Sequence, residues 1–381
     1  MAIDARIGPS DEAPAGFFTE THRSLARVLL AVVWTRAVLW AVVDYAVHAH
    51  PPRFHASALR EFGSSAFAAL LRWDVWWYVS IARSGYEFDP HRASNAAFLP
   101  GFPAFIALFT PAFGNAALAG MFVANTAFVL TVVAFWAWVR DRSGVRVAER
   151  AAVLLIVYPF SFFLNTAYAE SIYFLWCTLA LRATDREEWG SAALFASLAT
   201  LTRPMGLFLV PAFVWRLARS KGGRTGFAAL LPILAPPLAL FGFALYQWTR
   251  VGSPFALWVA QRVGWGVGDH FSVFKLPERA ELARQLADVF HVLVPVPLLW
   301  LSVRALRRLG PVAGVYSIVT IVVAICLGGD SLGREALAAV PLFAVGGLAK
   351  LGPRSVLALQ SASFALFIVF ACAFCLGVFM G

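Results

Sequence analysis

The chain has 381 residues, 60% of them hydrophobic and only 14% charged, with a mean hydropathy of +0.73. Soluble domains carry roughly 45–50% apolar and about 25% charged residues, so a soluble fold does not account for this sequence. The net charge of +10 is nearly all arginine and lies in short connections between apolar runs, a pattern of membrane topology rather than of nucleic-acid binding.

In chain order the apolar runs are 24–47, 98–113, 116–139, 149–165, 168–182, 189–202, 204–218, 226–248, 286–303, 311–329, 335–349 and 355–380. Helix is the state expected for them, because a lipid-exposed backbone must satisfy its own hydrogen bonds and the runs lack the alternation of barrel strands. The polar segment 1–23 reads as a cytoplasmic tail, and 24–47 as an uncleaved first span. Basic clusters at Arg140 to Arg150, Arg182 and Arg186, Arg216 to Arg224, Arg304 to Arg308, and Lys350 and Arg354 fall on alternate connections. They mark the cytoplasmic face. The opposite face receives two long loops, 48–97 and 249–285, the second with a short helix near 277–286. Run 98–113 breaks the alternation and carries Pro100, Pro103 and Pro111, so it is expected not to cross. The expectation is an all-α polytopic membrane protein, a single domain over 1–381, with about eleven transmembrane helices, an external C-terminus and interfacial helices in the long first extracytoplasmic loop.

The four cysteines lie in apolar runs, and the pair in CAFC at Cys372 and Cys375 reads as helix packing rather than a redox motif. The absence of an Asn-x-Ser/Thr sequon and the Ala/Arg-rich composition agree with a bacterial plasma-membrane protein.

The densest chemical signal is RWDVWWYVSIARSGYEFDPHRASNAAFLPGFP, from Arg72 to Pro103. Trp73, Val75, Trp76, Tyr78 and Val79 suit one side of an interfacial helix. Asp74 lies among these aromatics, where partial desolvation and Arg72 or Arg83 can tune a carboxylate. The same aspartate can equally cap the helix or face water.

The stretch from Trp73 to Tyr86, followed by AFLPGFP at 97–103, resembles the PIG-V-like (GPI mannosyltransferase 2) family. PFSFFLNTAYAESIYFL at 159–175, LATLTRPMGLFL at 198–209 and SLGREALAAVPLFA at 331–344 extend the resemblance in the same order. Glu335 stands where an aromatic is common in the family, and Glu87, Phe88 and Asp89 have no assigned counterpart. The resemblance implies a GT-C fold and a glycosyltransferase that takes a sugar, most simply mannose, from a polyprenyl-phosphate donor outside the cytoplasm. It also implies Asp74 as base.

Such a reaction needs an external carboxylate, phosphate-binding cations and access from lipid. Arg203 and Arg334 are the candidate phosphate ligands, by charge-assisted hydrogen bonds. The alternatives are that Arg203 snorkels at a helix end and that Arg334 pairs with Asp330. Glu170, at the mouth of a span, either positions acceptor, orients Arg203 or forms a structural pair. Trp73, Tyr78, Gln261 and Trp265 are candidate sugar contacts. The scattered His91, His270 and His291 give no metal spacing, so no cofactor is expected, although a loosely held divalent ion beside Asp74 is compatible. The expected partners are the polyprenyl-phosphate donor, a glycolipid, glycan or protein acceptor, and membrane lipids, with no nucleic acid. A transporter or lipid flippase is the competing class, hinted at by the Arg203-Pro204 break.

Overall fold

The computed structural model describes residues 15–52, 54–219, 226–266, 285, 289, 293–326 and 332–378. The described residues form helices, short 3-10 turns and connections. Four helices are long and apolar enough to cross a membrane: Glu20–Ala49, Ala116–Ser143, Phe227–Val251 and Pro353–Leu376.

The expectation of about eleven crossings is therefore corrected to four such helices among the described residues. Crossing a bilayer takes about 20 helical residues, and the other apolar runs fold into shorter pieces. Run 98–113 gives Gly101–Phe113, 189–202 gives Trp189–Thr202, and 311–329 gives Pro311–Cys326. Run 149–165 ends its helix at Ile156 and continues into a 3-10 turn, Ser161–Asn165. Run 204–218 splits at Leu209, and 335–349 splits at Pro341. Run 286–303 lies partly outside the described residues; its described helix is Pro295–Arg308. Many of these pieces are apolar because protein surrounds them. In Glu170–Asp185 twelve of the sixteen residues are buried, the glutamate at its start included.

The elements that build the site are α1 (Ala15–Ala49), α2 (Ala56–Phe62), α3 (Ala66–Leu70), α4 (Asp74–Ser84), α5 (Gly101–Phe113), α6 (Ala116–Ser143), α7 (Val145–Ile156), α8 (Glu170–Asp185), α9 (Trp189–Thr202), α10 (Leu209–Arg219), α11 (Leu231–Val251) and α12 (Ala256–Trp265). Helices α2, α3 and α4 come from segment 48–97 and pack into the main core. The expected helix near 277–286 and the tail 1–14 lie outside the described residues.

Helix α4 does not lie free at an interface. Val75, Tyr78, Val79 and Ile81 bury one side of it in the protein. The main core is aromatic at the level of the site. Phe162 and Phe163 stack at 4.4 Å, and Phe163 and Tyr168 both pack on Phe374 of the last long helix. The basic connections gather at one end. Asp141 takes Arg140, Arg182 and Arg186, while Arg142 reaches both Asp185 and the Leu309 carbonyl.

Candidate active site

Two chain reversals place the charged groups. The first is Trp73, a non-glycine residue with φ +47° and ψ −111°. That conformation is disfavoured for a bulky side chain and persists only where its surroundings enforce it. Here they do. The Tyr168 hydroxyl donates to the Arg72 carbonyl at 3.1 Å, the Arg72 guanidinium donates to the carbonyls of Ala69 and Cys375, and the Trp73 ring packs on Phe374 at 4.9 Å. The turn sets Asp74 as the first residue of α4.

The second reversal follows α9. Proline disfavours helix in the residue before it, and Arg203, preceding Pro204, is extended at φ −145° and ψ 142°. Gly206 then returns so tightly that a Cβ there would sit 2.3 Å from the Thr200 amide nitrogen. Helix α9 therefore ends by turning the Arg203 side chain inward.

Four side chains from four distant segments meet. Arg334 donates from Nη2 to Asp74 Oδ2 at 3.0 Å and from Nε to Glu170 Oε1 at 2.5 Å. Arg203 donates to the same Glu170 oxygen. Glu170 is 3% exposed, Asp74 19%, so the aspartate is the more accessible carboxylate. The Arg334 guanidinium rests on the Phe163 and Tyr168 rings, with centroids 4.9 and 4.7 Å away. Its backbone is fixed from behind. Gly333 approaches Phe160 so closely that a Cβ would lie 2.2 Å from the ring, and the Tyr158 hydroxyl donates to the Gly333 carbonyl at 2.9 Å.

Burial alone would push the Glu170 carboxyl up, but Arg334 and Arg203 outweigh it and hold it below its ordinary value. Both guanidiniums are held above theirs, because Glu170, and Asp74 for Arg334, overcome the cost of burial. Glu335 behaves differently. Burial pushes its carboxyl up to about 7, against the pull of Arg203 and Arg334, and its Oε2 has no hydrogen-bond partner. The sequence marks it only as an acid where the family tends to have an aromatic.

The structure thus brings Asp74, Glu170, Arg203 and Arg334 together. The cation on Asp74 is Arg334 rather than its chain neighbours, since Arg72 serves carbonyls and Arg83 pairs with Glu61 at 3.1 Å. Arg203 is paired inward and not snorkelling. Asp330, the other partner considered for Arg334, lies outside the described residues, as do His270 and His291. Tyr78 is 5% exposed and packs edge-on to Phe98 and Phe102, so it forms a wall. Gln261 donates to the Ala97 carbonyl at 2.7 Å and acts as a loop support; the Trp265 side chain lies outside the described residues. Among the described residues no group of three or more His, Cys, Asp or Glu is placed to hold a metal.

In chemical terms, a partly accessible carboxylate is paired with a buried guanidinium, and a second, half-buried one joins them through Glu170. The model of the mannosyltransferase (PIG-V) family matches residues 18–219, more than half of the chain. The chain belongs to this family. Its fold is of the GT-C type and is similar to that of ArnT from Cupriavidus metallidurans bound to undecaprenyl phosphate. The TM-score is 0.54 at 16% identity, over 88% of this chain and 63% of that one. The apo form of ArnT gives a TM-score of 0.51, also at 16% identity, over 86% and 61% of the two chains. The PIG-V family member therefore spans less than two thirds of the length of these fold relatives. A comparison with curated proteins gives no match.

Proposed function

We propose that this protein transfers a hexose, mannose by its family, from a polyprenyl-phosphate-linked donor to an acceptor hydroxyl on the extracytoplasmic side of the membrane. Asp74 serves as base. The observation that carries this reading is the Arg334 guanidinium, which touches Asp74 and, through Glu170, is tied to Arg203. This joining of one accessible carboxylate to two guanidiniums supports a base beside a phosphate-binding pair. The undecaprenyl phosphate held by ArnT, a protein of similar fold, supports a lipid-carried donor.

In this reaction Asp74 takes the proton of the acceptor hydroxyl while that oxygen forms a bond to the anomeric carbon. The bond from the anomeric carbon to the phosphate oxygen breaks, and its electron pair leaves on polyprenyl phosphate. Arg203 and Arg334 stabilise the charge that develops on the departing phosphate. One displacement inverts the anomeric centre.

The test is transfer of labelled mannose from polyprenyl-phosphate mannose by the purified protein. Asp74→Asn should lower the rate by roughly 10²–10⁴-fold, the usual contribution of a general base. Undiminished transfer by Asp74→Asn would remove Asp74 from this role.

A further inference from the structure

Helix α4 has a second functional face. Trp73, Trp76, Trp77 and Ser80 recur at helical spacing and line a cleft of about 750 Å³ on the other side of the helix from buried Val75 and Val79. That volume lies within the roughly 300–1,000 Å³ of small-ligand sites. The opposite wall is the loop after α4, which contributes Glu87, Asp89, Arg92 and Ser94.

The loop is preformed. The Asn95 carboxamide accepts from the Glu87 amide at 2.7 Å and donates to Ser80 Oγ and the Gly85 carbonyl at 3.1 Å each. From behind, Gln247 on α11 and Gln261 on α12 donate to the carbonyls of Ala96 and Ala97. These bonds fix the loop with Asn95 and Ser80, and leave the Glu87 carboxylate out of the loop's own bonding. The Ser94 side chain is 7% exposed, and its hydroxyl has no hydrogen-bond partner.

The lining discriminates among ligands. It carries two carboxylates, one guanidinium and the His55 imidazole; Arg92 is already paired with Asp89 at 2.8 Å, and His55 stacks on the Trp76 ring at 4.6 Å. Such a surface repels phosphate, whereas the arginines gathered at the N-terminal end of α4 attract it. Carboxylates are equally unsuited to an acyl tail. Indole faces beside carboxylate and hydroxyl groups suit a pyranose, whose C–H face packs on an aromatic ring while its hydroxyls donate to the acids.

We propose that this cleft binds the acceptor and that the acceptor is a neutral oligosaccharide, presented to Asp74 around the N-terminal end of α4. The proposal rests on the transferase reading for the word acceptor. The binding site itself is tested without transfer. Calorimetric titration of the full-length protein in detergent with α-linked mannotriose should give saturable binding, and inorganic phosphate should not compete. Trp77→Ala should weaken that binding by about tenfold, the loss of one stacking contact of roughly 1.4 kcal/mol. Glu87→Gln, an exposed loop substitution that leaves the α4 packing intact, should weaken it several-fold. Wild-type affinity in both variants, or phosphate displacing the sugar, overturns the proposal. Sugar binding that responds to both variants in a protein that transfers nothing from polyprenyl-phosphate mannose would overturn the transferase reading and leave the cleft as a sugar site.

Discussion

Replacing Glu170 with glutamine removes one negative charge from the middle of the site while keeping its shape. The side chain is 3% exposed, and its Oε1 receives both guanidiniums. Taking away one member of a buried ion pair costs about 3–5 kcal/mol, because the remaining charge is left uncompensated. Arg334 keeps Asp74 at 3.0 Å, whereas Arg203 loses its one ion-pair partner among the described residues, so the expected loss is near 3 kcal/mol. Unfolding in mixed micelles across an SDS titration measures it. Adding Arg203→Gln should then cost little more, giving a coupling energy on the order of 2 kcal/mol in the double-mutant cycle. A Glu170→Gln protein within about 0.5 kcal/mol of wild type, with additive double-mutant behaviour, would refute the reasoning. It would mean that water replaces the carboxylate and that the arginines do not depend on it.

Arg334→Lys retains the charge but not a planar fork able to hold Asp74 and Glu170 together, so sugar transfer should fall by roughly 10²–10³-fold; wild-type kinetics would show that charge alone suffices. Gly333→Ala places a methyl group 2.2 Å from the Phe160 ring and should destabilise the protein by about 1–3 kcal/mol, with a parallel loss of transfer, as read by unfolding and by assay. Glu335 gives a pH signature. Its folded-state value of about 7 lies above the ordinary 4.5, so the folded protein binds its proton more tightly; the stabilisation is present below pH 4.5 and is lost as pH rises through about 7. Glu335→Gln should flatten stability across that window and raise it at pH 8, and an unchanged slope would contradict the burial argument.

The sequence marks the residues of the charged cluster better than it counts the crossings. Asp74 in an aromatic island, and charged residues at the mouths of apolar runs, stand out because such groups are costly there unless used. The number of spans is not readable in the same way, since an apolar run reports burial without saying whether lipid or protein does the burying. Helix α8 is the clearest case: it is apolar, 16 residues long and enclosed by protein. Partners are also hidden when they are remote. The sequence offers Arg72 and Arg83 beside Asp74, yet the cation that holds it comes from 260 positions away. Gln261 shows the opposite error. Its exposed-loop context suggests a sugar ligand, but a primary amide equally satisfies a neighbouring carbonyl, and Ala97 claims it. The placing of Asp74 at the start of α4 depends on the backbone turn at Trp73, which no residue pattern announces.

The four charged groups also bear on how the chain can be divided. The family signature ends at residue 219 and contains Asp74, Glu170 and Arg203, but the cation joining the two carboxylates is Arg334, far beyond that boundary. The half that carries the pedigree is thus chemically incomplete. A fragment cut at the signature's edge would hold two acids and a single arginine, and a chimera exchanging C-terminal halves between relatives would have to carry the Gly333-Arg334 pair and its Phe160 seat as one transplanted unit.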